Sequence, residues 1–81
     1  MKESLKTAVE YALAGEWDAS HKIAQEFSDT MANWIHAVLH KIEGDASNSR
    51  YWYARSNGHS YEDFASSQEE LKEILRRLES A

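Results

Sequence analysis

The chain has 81 residues, with 9 Lys and Arg against 14 Asp and Glu, a formal net charge of −5, and neither cysteine nor proline. That length holds one small domain. The missing cysteines exclude a disulfide scaffold, a thiol nucleophile and Cys-based metal sites, and the net acidity argues against a phosphate-backbone binder.

Helical spacing starts near the amino terminus. Leu5, Ala8, Val9, Ala12 and Leu13 follow an i, i+3, i+4, i+7, i+8 pattern, and Gly15 can take the left-handed conformation that ends a helix. A second helix is expected over about 17–27, with Ala19, Ser20, Ile23, Ala24 and Phe27 inward. Ser28-Asp29-Thr30 is a turn in which Asp29 or Thr30 can cap a third helix over about 31–43. Met31, Trp34, Ile35, Val38, Leu39 and Ile42 give this helix one broad apolar face. Gly44 stops it, and Asp45 caps a fourth helix over about 46–56 that turns Ser49, Trp52, Tyr53 and Ser56 to one side. Asn57-Gly58 is a break, followed by a loop that Tyr61 and Phe64 would pin to the body. Ser67-Gln68-Glu69-Glu70 reads as a capping box, with Ser67 as cap and Glu70 reaching back, ahead of a fifth helix over about 68–80. Leu71, Ile74, Leu75 and Leu78 form its stripe.

No segment reads as a strand, so the expected fold is all-α: two stacked helical hairpins and a C-terminal capping helix. The expected division is a single domain over 1–81, with hairpins at 1–28 and 29–57 and the loop and capping helix at 58–81. Three tryptophans, four tyrosines and two phenylalanines supply the bulk that so short a chain needs for a core. No apolar run reaches the ~20 residues of a membrane span. Met1-Lys2-Glu3-Ser4 lacks the apolar stretch of a signal peptide, so a cytoplasmic location is expected.

The sequence also repeats. A shift of 29 residues puts Ala8 on Ala37, Val9 on Val38, Leu13 on Ile42, Gly15 on Gly44, Glu16 on Asp45 and Ser20 on Ser49. Each unit is a helix, a Gly-acidic turn and a helix, and stacking lets each unit bury a face that it cannot bury alone. The segment Tyr11 through Gly15-Glu16-Trp17-Asp18-Ala19 resembles the turn region of a tetratricopeptide repeat. So does the stretch from Trp34 through Gly44-Asp45 and Ser49 to Tyr53, and Trp52-Tyr53 after such a turn is similar to Sel1-like repeats. The blocks Trp17–His21, Trp34–Asp45 and Asn48–Tyr53 also resemble small bacterial proteins with no established activity. The resemblance implies a helical-repeat protein–protein interaction module. The period departs from the ~34 residues usual for such repeats, and no proline follows the second helix.

Two constellations could carry function. His36 and His40 are spaced i, i+4, and with Glu43 they lie within ~60° on one edge of the third helix. That is metal-ligand spacing, but Ala37 stands where a zincin-type site would have its general base. A third ligand must come from elsewhere, and His21 or Glu43 could supply it. The competing reading makes His36 and His40 boundary residues at a helix–helix groove. The second constellation is Asn48, Arg50, Tyr51 and Arg55 on the fourth helix, where Tyr51 and Arg55 are i, i+4 neighbours that would stack, either to shield the helix or to anchor a partner peptide. A groove lined by the first helix of each unit would add Tyr11, Ala37, His40 and Lys41.

No nucleophile elbow, phosphate-cradling glycine loop or dinucleotide fingerprint is present. The chain therefore reads as non-enzymatic, with no cofactor and no nucleic-acid or membrane partner. A protein or peptide partner is the leading expectation. The open ends of a two-unit array also favour a homodimer, and the alternative is a metal or small-ligand site built on His21, His36 and His40.

Overall fold

A computed structural model describes residues 2–80 of the chain. Met1 and Ala81, which the expected span of 1–81 includes, lie outside the described residues. Five helices follow one another: α1 (Lys2–Leu13), α2 (Trp17–Ala24), α3 (Thr30–Glu43), α4 (Ala46–Tyr53) and α5 (Ser67–Glu79). Among the described residues there is no strand, and no helix is long and apolar enough to cross a membrane. The fold is all-α, as the periodicity predicts.

The two repeat units close in the same way. Gly15 and Gly44 sit at φ +82° and +87°, a region that side chains with a Cβ rarely enter. The following amides reach back across the helix end, Glu16 to the Tyr11 carbonyl at 2.8 Å and Asp45 to the His40 carbonyl at 3.0 Å. These are Schellman closures, and they fold each second helix back on its first. The Ser20 hydroxyl then donates to the Ala8 carbonyl at 2.6 Å, and the Ser49 hydroxyl to the Ala37 carbonyl at 2.7 Å. Donor and acceptor of one pair map onto those of the other by the same 29-residue shift. Both serines are fully buried, so each contact joins the helices of its hairpin at the point where a larger residue would separate them.

α1 pairs with α2 and α3 with α4, and α3 meets α1 and α2 across the hairpin boundary. α5 packs on α1 and α3, the first helices of the two units. α3 is therefore surrounded, and every residue from Ala32 to His40 is buried. The single broad apolar face expected of it is corrected by this placement. Ile42, assigned to that face, lies beyond the enclosed stretch and is exposed, while Asn33, His36 and His40 are buried.

The second helices are shorter than the sequence suggests. α2 ends at Ala24 instead of running to Phe27, because the chain tightens into i, i+3 bonds from Glu26 to Ile23 and from Phe27 to Ala24, while Phe27 packs against the core. α4 ends at Tyr53 instead of Ser56, where the Ser56 hydroxyl bonds the Tyr53 carbonyl at 2.7 Å and Asn33 takes the Arg55 carbonyl at 3.1 Å. Asp45 caps α4 as expected, and of Asp29 and Thr30, the two candidates for the cap of α3, it is Asp29 that serves.

The capping box is corrected in register. Ser66, not Ser67, caps α5 by accepting from the Glu69 amide. Glu70 does not reach back to the cap. It is fully buried and accepts from the Trp34 indole at 2.8 Å and the Tyr53 hydroxyl at 2.7 Å, and its other oxygen pairs with Lys41 at 3.0 Å. Lys41 also donates to the Tyr61 and Phe64 carbonyls at 2.8 and 2.9 Å. One buried ion pair thus ties α3, α4, α5 and the loop before α5 together.

Candidate metal centre

The histidines occupy the side of α3 turned away from that ion pair. At 100° per residue, His36 and His40 lie opposite Trp34 and Lys41 around the helix axis. They face the crossing of α3 with α2, where His21 comes in from the first hairpin. The Nε2 atoms of His21 and His36 are 3.0 Å apart. One ligand nitrogen from each of His21, His36 and His40 can be chosen so that all lie within 4.8 Å of one another. The structure therefore brings together the three histidines that the sequence could only list.

Two indoles fix the rings. Trp17, one turn before His21 on α2, stacks on it with centroids 4.7 Å apart and planes at 10°. The Trp17 indole N–H donates to the Leu39 carbonyl at 2.6 Å, which anchors α2 to α3 at this level. Trp52 of α4 stacks on His36 at 4.0 Å and 12°. His36 and His40 are almost enclosed, and His21 is half-buried. Flat partners on two of the three rings hold them in place, and immobilising a ligand before it binds reduces the cost of binding.

The electrostatics favour uncharged imidazoles at two positions. Burial, and after it the neighbouring His21 and His40, lower the pKa of His36 to about 4. His21 is also shifted down, first by burial and then by His40, with Glu43 and Asp18 opposing. A neutral imidazole carries one lone pair, and the Nε2 that donates in the His21–His36 hydrogen bond frees its own for an ion by passing its proton to the other ring nitrogen. Imidazole donors suit zinc, copper, nickel and iron.

Glu43 lies at the end of the same edge of α3, and its carboxylate hydrogen-bonds His40 Nδ1. Glu43 is not a member of the three-histidine group. His40, Glu43 and Asp45 form a second, overlapping group of donor atoms within 4.8 Å of one another.

The other residues singled out from sequence lie apart from this centre. Tyr51 is exposed and carries the Arg55 guanidinium 3.7 Å from its ring centre, as the i, i+4 spacing predicts. Tyr11 is exposed on α1. Lys41 does not line an open groove: its side chain is 9% exposed and is consumed by Glu70 and two carbonyls. Ala37 is buried, and α5 packs on both α1 and α3, the helices expected to line the groove.

Trp17 and Trp52 belong to the site as well, although the sequence offers Trp52 only as core bulk and Trp17 as a half-exposed residue. The signal for Trp17 was available, since it stands four residues before His21 on one helix. Trp52 gave none, because its contact depends on how α4 crosses α3. Comparison with protein-family models, curated proteins and solved structures finds no match to this chain.

Proposed function

We propose that this protein binds a divalent transition-metal ion, zinc first among them, through His21, His36 and His40. The observation that carries the reading is the convergence of three imidazoles from two hairpins, with His21 and His36 nitrogens 3.0 Å apart. Ligands on a tetrahedral zinc at ~2.0–2.1 Å sit roughly 3.3 Å from one another, and the His21–His36 pair already stands near that spacing. Because His21 belongs to α2 and the other two to α3, the ion clamps the first hairpin to the second. Three protein ligands leave a fourth position for water or a small external donor.

The test is calorimetric titration of the purified chain with zinc, beside His21→Ala. His21 is the most accessible of the three, so its removal disturbs packing least. One zinc per chain is expected, with binding lost in the variant. Absence of binding by the unaltered chain at millimolar zinc would sink the reading.

A second reading, an interaction module of the tetratricopeptide type, is supported by the exposed Tyr51–Arg55 stack, since tyrosine and arginine are favoured anchors at interfaces. It has less support, because α5 already packs on the first helices of both units. The anchor would have to act from the outer face of α4.

A further inference from the structure

We infer that Glu43 is the outer carboxylate that commits His40 to the three-histidine site, and that it is not itself a metal ligand. The inference rests on the metal-binding reading above and deepens it. His40 belongs to two overlapping donor sets, one with His21 and His36 and one with Glu43 and Asp45. An imidazole has two nitrogens, and the one that carries the proton cannot hold the ion. The hydrogen bonds decide between the sets.

His40 Nδ1 faces the Glu43 carboxylate, which accepts its proton in a hydrogen bond. That leaves the lone pair on Nε2. Asp45 is engaged elsewhere: its Oδ1 accepts from the Asn48 amide at 3.2 Å and from the Ser47 hydroxyl at 3.4 Å as the cap of α4. Both carboxylates of the second set therefore have work in the fold that an ion would interrupt. Glu43 and Asp45 are also exposed, whereas His36 and His40 are buried. Water competes for an ion at the first pair and much less at the second. A carboxylate behind a ligating histidine fixes its ring and raises its basicity, and loss of such a partner commonly costs 10–100-fold in affinity.

The experiment uses the full chain with zinc as the probe, comparing wild type, Glu43→Ala, Glu43→Gln and His21→Ala. Affinity is read by calorimetry, and the proton-bearing nitrogen of His40 by long-range proton–nitrogen NMR of the zinc-loaded protein. Glu43 lies at the exposed end of α3, so its variants are expected to fold, and far-ultraviolet circular dichroism verifies this. The expected result is affinity 10–100-fold weaker in Glu43→Ala and intermediate in Glu43→Gln, with His40 protonated at Nδ1 and zinc at Nε2. Unchanged affinity in Glu43→Ala, or zinc at His40 Nδ1, overturns the inference while loss of binding in His21→Ala still upholds the metal reading. No zinc binding by the wild type overturns both.

Discussion

His21 and His36 hold their Nε2 atoms 3.0 Å apart, although one belongs to the first hairpin and the other to the second. The crossing of α2 over α3 creates this contact, and Trp17 locks the crossing through the Leu39 carbonyl. An ion seated there acts on the joint between the repeat units.

Binding should therefore be visible as stability. Zinc at ~100 times its dissociation constant should raise the unfolding free energy by about 2.7 kcal/mol, provided it binds only the folded chain. Urea denaturation with and without zinc measures this. The gain should vanish in His21→Ala, and an equal gain in that variant would place the ion elsewhere.

The same event should be seen by tryptophan fluorescence. Trp17 and Trp52 stack directly on His21 and His36, whereas Trp34 stacks on His59 on the other side of α3. Most of the zinc-dependent change should be lost in a Trp17→Phe, Trp52→Phe double variant and retained in Trp34→Phe. The reverse pattern would contradict the assigned site.

Glu70 anchors the opposite side of α3. Its replacement by Ala strands Lys41 without its charge partner and removes the acceptor of Trp34 and Tyr53. Breaking such a buried pair costs about 3–5 kcal/mol. Glu70→Ala should lose that much in urea denaturation, with a smaller loss in Glu70→Gln. A change below about 1 kcal/mol would mean that the network contributes little beyond what water offers these groups.

Tyr53 gives the fold an alkaline limit. Burial, followed by its hydrogen bond to Glu70, pushes the Tyr53 hydroxyl above its ordinary value of 10. The unfolded chain releases that proton near pH ~10 while the folded chain retains it. The contribution is therefore complete below pH ~10 and is lost as pH rises toward the folded value. Denaturation curves from about pH 8 to 11 should show a steeper fall for wild type than for Tyr53→Phe. Parallel curves would show that other groups set the limit.

Ser20 and Ser49 should behave as equivalents. Each hydroxyl makes one buried bond to a carbonyl at matched positions of the repeat. Ser20→Ala and Ser49→Ala should each cost about 1 kcal/mol, read from chemical denaturation midpoints. A cost in one alone would mean that the two contacts are alike in geometry but not in energy.

The sequence by itself determined the number and order of the helices, the turns at Gly15 and Gly44, the cap at Asp45, and the 29-residue repeat. These are local: a left-handed φ, a side-chain cap or a 3.6-residue stripe needs only neighbours along the chain. The i, i+4 pairs His36–His40 and Tyr51–Arg55 were legible for the same reason. Glu70 was misread because its acidic position near a helix start fits a capping pattern, and local rules give no sign that Trp34, Tyr53 and Lys41 wait for it. α3 was read as one-faced because a periodic stripe reveals the first buried side of a helix, whereas its second depends on what packs there. Only the tertiary structure decided that α5 would cover α1 and α3, that Lys41 would be consumed by Glu70, and that His21 would meet His36. Each is a contact between residues far apart in the chain, fixed by how helices cross and not by the spacing within any of them.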